Sequence, residues 1–153
     1  MFEPAPLNFP TYPFKLKQEA GKIYIFDELR KRFLLLTPEE WVRQHLVKFL
    51  IEEKKYPRTL IKLEGGLKLN ELQKRSDILV FDLKGEKRML LECKAPSVKI
   101  TQDTFDQVAR YNFVHRVQWL VVSNGLQHYS CEINFEQHSY QFLNEIPAYA
   151  ANK

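Results

Sequence analysis

The stretch Arg75–Lys94, RSDILVFDLKGEKRMLLECK, limits the fold of this chain more than any other. It reads as two strands joined by the tight turn Leu83-Lys84-Gly85-Glu86. Ile78–Phe81 and Met89–Leu91 are apolar runs of the kind that fill buried strands. If Asp82 pairs with Lys87 across the turn, the antiparallel register sets Asp77 opposite Glu92. Directly opposed residues share a face. Lys94, two residues beyond Glu92, shares it too. Three charged groups then converge at the open end of a hairpin whose middle is apolar. A slip of one residue would scatter them, so the expectation has a geometric test.

Two opposed carboxylates repel. At ~4 Å and an effective dielectric of ~20 the cost is on the order of 4 kcal/mol. A proton, a cationic side chain or a metal must offset it. Lys94 supplies one positive charge. A hard divalent cation, Mg²⁺ with Mn²⁺ as a substitute, is held by a few carboxylates, with water and phosphate oxygens completing its shell. Such an ion acidifies its bound water and polarises a phosphoryl oxygen. The lysine orients or deprotonates that water, or stabilises the developing charge. The constellation therefore suits metal-assisted phosphodiester hydrolysis, with Asp77, Glu92 and Lys94 catalytic and Asp77 and Glu92 on the metal. The plain alternative is structural. In it Asp77 caps the start of its strand, while Glu92 and Lys94 form an exposed same-face salt bridge.

The chain's 153 residues suit one core, and its 44% hydrophobic and 13% aromatic content can fill it. Residues 1–20 read as an extended arm packed on the body. Pro4, Pro6, Pro10 and Pro13 remove backbone donors there, and Phe2, Phe9, Tyr12 and Phe14 offer apolar anchors. Residues 21–147 are expected to form one domain. Lys22–Phe26 and Arg32–Leu36 make a hairpin around Asp27-Glu28-Leu29-Arg30. Thr37-Pro38-Glu39-Glu40 is a capping box that opens a helix from Pro38 to about Lys54. Trp41, Val42, His45, Leu46, Phe49 and Leu50 form its buried stripe. Leu60–Leu63 is a strand candidate, Gly65-Gly66 marks a turn or bulge, and Leu67–Lys74 is polar and ambiguous. Thr101 or Thr104 caps a second helix ending near Arg116, with Phe105, Val108, Ala109, Asn112 and Phe113 on its apolar side. Trp119–Val122, Gln127–Ile133 and Ser139–Leu143 read as further strands, and Ala148–Lys153 as a frayed tail. Because the central pair is a hairpin, the fold is α/β with a mixed central sheet flanked by helices, and not doubly wound.

No apolar run approaches the ~20 residues of a membrane span, and no signal-peptide pattern heads the chain. Cys93 and Cys131 form neither a disulfide framework nor a zinc spacing, which points to a reducing, cytoplasmic setting. Cys93 alternates with Glu92 and is expected to be a packed core thiol. A net charge of +4 and a pI near 9.0 permit a polyanion partner without requiring one. The histidines, His45, His115, His128 and His138, show no ligand spacing. Basic clusters at Arg30–Arg32, Lys54-Lys55, Lys74-Arg75 and Lys84/Lys87/Arg88 read as solvated faces. Arg75 and Lys99 flank the site and are the better candidates for phosphate contacts.

SDILVFD followed by LLECKAP resembles the PD-(D/E)XK nuclease core, with Asp77, Glu92 and Lys94 at its metal and catalytic positions. The helix DQVARYN adds Gln107 and Tyr111, four residues apart on one face. This is similar to the Q-xxx-Y motif of the N-terminal nuclease domain of type I restriction enzyme R subunits. LTPEEWVRQHL and WLVVSNGLQHY also resemble that family, so the resemblance covers nearly the whole chain. It implies a restriction-endonuclease-like core and a metal-binding glutamate on the first helix, matching Glu40 or Glu39, with Glu40 preferred. It also implies that Gln107 and Tyr111 position substrate, that DNA is the substrate, and that restriction-modification subunits are partners. One departure matters. The R subunits carry an ATP-driven motor after the nuclease domain, whereas this sequence has no G-x-x-x-x-G-K-[ST] loop, so a domain without a motor is expected. Two classes of function follow: a Mg²⁺-dependent DNA nuclease domain, or a catalytically silent nuclease-fold module that binds nucleic acid or a protein partner.

Overall fold

The computed structural model describes residues 3–64 and 76–150, with side chains at all of these except 64, 76, 77 and 111–115. A small antiparallel meander comes first: β1 (Leu16–Glu19), β2 (Lys22–Asp27) and β3 (Arg32–Leu35). The arm expected over 1–20 is therefore shorter, since Leu16–Glu19 pair with β2. No proline follows Pro13 until Pro38, so every donor a ladder needs is present. The remaining arm docks by its backbone. The N–H of Asn8 donates to Gly125 O at 2.7 Å, and Trp41 Nε1–H donates to Ala5 O at 2.8 Å.

Helix α1 (Pro38–Glu52) starts at the expected cap, where Thr37 Oγ1 accepts from the N–H of Glu40 at 3.1 Å. Val42, His45, Leu46 and Leu50 are buried as the spacing predicts, together with Val47 and three polar residues treated below. A short turn of 3-10 helix (Arg58–Leu60) leads into β4 (Ile61–Glu64).

The main sheet has the order β4-β5-β6-β7-β8-β9, with β5 (Ser76–Phe81), β6 (Lys87–Cys93), β7 (Trp119–Ser123), β8 (His128–Asn134) and β9 (Ser139–Leu143). All its pairings are antiparallel except β6–β7, which are parallel and joined by α2 (Gln102–His115). Thr101 caps α2 by accepting from the N–H of Thr104. Strand alternation sorts the core. Ile78, Val80, Met89, Leu91 and Val121 pack with α1, while Leu79, Leu90, Leu120 and Val122 pack beneath Phe105 and Val108 of α2. Each fully buried aliphatic side chain contributes roughly 1.5–3 kcal/mol. The sheet is thus mixed, with one helix on each face. No helix among the described residues is long and apolar enough to cross a membrane.

The β5–β6 hairpin keeps the expected register at its open end, with Asp77 opposite Glu92 and Leu79 opposite Leu90. Its turn end differs. Lys87 pairs with Phe81 rather than Asp82. Asp82 Oδ1 instead accepts from the N–H groups of Lys84 and Glu86, both at 2.9 Å, which draws Asp82 into the turn. The ladder shifts between Val80 and Phe81, leaving Arg88 as the extra residue of a bulge. The bulge absorbs the offset before it reaches Asp77.

The tail also differs from the expected fraying. Tyr149 donates its N–H to Lys54 O at 2.9 Å and packs at a tilt against Tyr56, whose hydroxyl donates to Pro147 O at 2.7 Å. Gly65-Gly66, Leu67–Lys74, Arg75 and residues 151–153 lie outside the described residues.

A candidate active site at the open end of the central hairpin

Strand β6 lies inside the sheet, between β5 and β7. Near its end Glu92 has Asp77 on one side and Val122 on the other. Alternation puts Glu92 on the face of Leu90, toward α2. Its side chain is only 3% exposed. A carboxylate this deep requires compensating charge. Lys94 provides it, with Nζ 3.7 Å from Glu92 Oε2. The lysine backbone is pinned by its N–H donating to Ser123 O at 2.8 Å. Its side chain is 30% exposed, so the ammonium links a buried carboxylate to solvent. Cys93 points the other way and is buried in the core beneath α1, as a packed thiol.

Asp77 stands across from Glu92 in the ladder, and its own other neighbour is Glu64 on β4. Three acidic positions therefore run in register across β4, β5 and β6. Glu64 belongs to no motif of the sequence, and its one signal there is its place at the end of the alternating run Ile61–Glu64 beside the hairpin. The side chains of Glu64, Asp77 and Tyr111 lie outside the described ones, as does Arg75. Gln107 is exposed on α2, and Lys99 is exposed in the loop after β6.

Glu40 occupies a second polar centre, on α1. Arg43 Nε donates to Glu40 Oε2 at 3.1 Å, and Arg43 Nη2 contacts Oε1. Gln44 Nε2 donates to Glu40 Oε2 at 2.7 Å and to Asp27 Oδ2 at 3.3 Å. Arg43 also lies 3.9 Å from Asp27 Oδ2, while Asp27 Oδ1 accepts the N–H groups of Leu29 and Arg30. Asp27, Glu40, Arg43 and Gln44 are all buried. Arg30 reaches from the meander to Leu63 O, beside Glu64. Burial, and then the charge of Arg43, pull its guanidinium below the usual pKa. Glu39 is half-buried in the first turn of the helix.

From its sequence context Asp27 reads as a turn residue, and Arg43 carries no motif. Both carried a signal: Arg43 falls within the stripe of Leu46, Val47 and Leu50, and Asp27 alternates with Ile23 and Ile25. Helix α1 packs on the face of Leu91 and Cys93, whereas Glu92 lies on the face of Leu90. Among the described residues no group of three or more His, Cys, Asp or Glu is arranged to hold a metal.

The chain matches the family model described as Type I restriction enzyme R protein N terminus over residues 38–147. Neither the curated proteins nor the solved structures contain a match.

Proposed function

The chain belongs to the type I restriction enzyme R protein N-terminal family, and on that premise we propose that it is a metal-dependent nuclease domain hydrolysing DNA phosphodiester bonds. The proposal includes a PD-(D/E)XK-type core and partnership with restriction-modification subunits. The observation that carries it is the pairing of Asp77 with Glu92 while Lys94 holds its ammonium against the Glu92 carboxylate.

The donor set suits a hard divalent cation: both donors are carboxylates held on sheet strands, and Glu92 is buried. Bound by Asp77 and Glu92, Mg²⁺ or Mn²⁺ would supply Lewis-acid polarisation of a phosphoryl oxygen and a more acidic water. The chain's own residues do the rest. Lys94, at the solvent border, orients the attacking water and stabilises charge developing on the phosphate. Leu90 and Val122 keep bulk water from beneath Glu92, which strengthens every charge interaction at the site. Gln107 and Tyr111 on α2 position the nucleotide, and Lys99 contacts backbone phosphate. Glu40 is the third ligand only if it gives up Arg43 and Gln44. Glu64, in register with Asp77, is the alternative third carboxylate.

One observation favours the second reading, a catalytically silent module: Glu40 is fully engaged by its helix neighbours. Cleavage of DNA by purified protein with Mg²⁺ separates the two. Glu92→Ala and Lys94→Ala should each slow cutting by about 10²–10⁴-fold, the usual contribution of a positioned acid–base group. Wild-type rates in either variant refute the assignment. Metal binding with no turnover on any nucleic acid supports the silent module.

A further inference from the structure

The β1–β3 meander precedes the family-matched span, and its two faces differ in chemistry. Ile23, Ile25 and Asp27 of β2 point inward, and Ile25 and Asp27 are buried. The pairings Lys17 with Tyr24, Tyr24 with Leu35, and Phe26 with Phe33 put all five residues on the opposite face. Tyr24, Phe26 and Phe33 are only partly covered, and Leu35 is 46% exposed. What covers the rings is lysine. Lys17 Nζ lies 4.5 Å from the centroid of Phe33 and 5.8 Å from that of Tyr24, and Lys15 Nζ lies 5.1 Å from that of Phe26. Phe26 and Phe33 meet edge-on at 5.2 Å. Lys22 adds a further cation on this face, and Glu19, paired with Lys17 at 3.6 Å, is its acid.

Aromatic rings on a sheet surface, edged by lysines, offer both parts of single-strand recognition. Bases stack on the rings, and lysines follow the phosphates. An ammonium resting on a ring gains roughly 0.5–1 kcal/mol at an exposed site, little enough for it to move to a phosphate while a base takes its place. A duplex cannot use the rings, because its bases are already stacked. We propose that the outer face of the meander is a platform for a single-stranded segment of nucleic acid. This deepens the nuclease reading by assigning a substrate form, and rests on it for the choice of nucleic acid. On the platform's inner face Asp27 accepts a hydrogen bond from Gln44, so the meander is anchored to the Glu40 centre of α1.

The test is fluorescence anisotropy with a labelled oligothymidylate of about 12 nucleotides, with chelator present so that cleavage plays no part. Binding should weaken with salt, with a log–log slope near −2 for three lysine contacts at about 0.7 each. Tyr24→Ala and Phe33→Ala should each lose about 5- to 100-fold in affinity, the effect of removing one stacking ring. Lys17→Glu, at an exposed position, should lose affinity with the circular dichroism spectrum unchanged. A duplex of matching length should bind more weakly. The platform is refuted if the single strand does not bind at low salt, if Lys17→Glu binds as wild type, or if the face instead takes a second copy of the chain or a protein subunit. That failure would leave metal-dependent cleavage untouched, so it is distinguishable from failure of the nuclease reading.

Discussion

Arg43 lies across Glu40 on α1, gripping both carboxylate oxygens with both side chains shut away from water. Paired charges at that depth are stable together and costly apart. Arg43→Ala strands the carboxylate and should destabilise the fold by about 3–5 kcal/mol. The double change Arg43→Met with Glu40→Met should recover part of that, because the two apolar groups need no partner while Asp27 loses Arg43 but keeps its bonds from Leu29, Arg30 and Gln44. Urea melts of the two variants check it. A loss below about 1 kcal/mol in Arg43→Ala would mean that water reaches Glu40.

Acid should loosen the docked arm. His45 and His128 both have pKa values below the usual 6.5, through burial that a backbone hydrogen bond to Trp41 or Asn8 only partly offsets. His45 Nδ1 is bonded to Trp41 O, and its ring stacks on Phe9 and packs at steeper angles against Tyr12, Phe14 and Trp41. His128 Nε2 bonds Asn8 O, and its Nδ1 meets Ser123 Oγ. A depressed folded pKa means that the unfolded chain binds the proton first. This stability is therefore complete above pH 6.5 and is lost as pH falls through the folded values. The depressed carboxylates Glu28, Asp82 and Glu145 act only at lower pH. Urea midpoints should fall between pH 7 and pH 5, and the fall should flatten in His128→Gln. A flat wild-type profile over that range contradicts it.

Gly125 holds φ at +88°, and a Cβ there would come within 2.9 Å of Leu7 Cδ2 and 3.1 Å of Val42 Cγ2. Gly125→Ala should cost about 2 kcal/mol in backbone strain alone and push the arm from its seat. Thermal melts and faster proteolysis before Phe14 measure the two effects. An unchanged melting temperature would show that Leu7 is not packed there.

If a cation relieves the Asp77–Glu92 pair, Mg²⁺ must stabilise the fold. At about 100 times its dissociation constant the gain is about 2.7 kcal/mol. Differential scanning fluorimetry should show that shift in wild type and lose it in Glu92→Gln. Glu64→Gln should reduce it if Glu64 is the third carboxylate, whereas Glu40→Gln should reduce it if Glu40 is.

The open end of the hairpin was legible because alternation has a strict period of two, which makes Asp77 and Glu92 partners under a single register. The turn was not, because Asp82 bonds two backbone N–H groups within the turn, a local choice that spacing does not reveal. β1 was hidden because its residues, LKQE, are exposed along their whole length and show no buried face. The Glu40 network was hidden for the opposite reason. Asp27, Arg43 and Gln44 have the composition of solvated residues and are identified as buried only once the meander closes over α1. The metal-site residues rest on register and family, and the substrate platform on cross-strand geometry that no linear motif records.

The most direct test of the central claim is anomalous scattering from crystals grown with Mn²⁺. A peak held between the carboxylates of Asp77 and Glu92, and missing from Glu92→Gln crystals, is the predicted result. Crystals in which those carboxylates diverge, or carry no peak at saturating Mn²⁺, would contradict the site on which the nuclease reading stands.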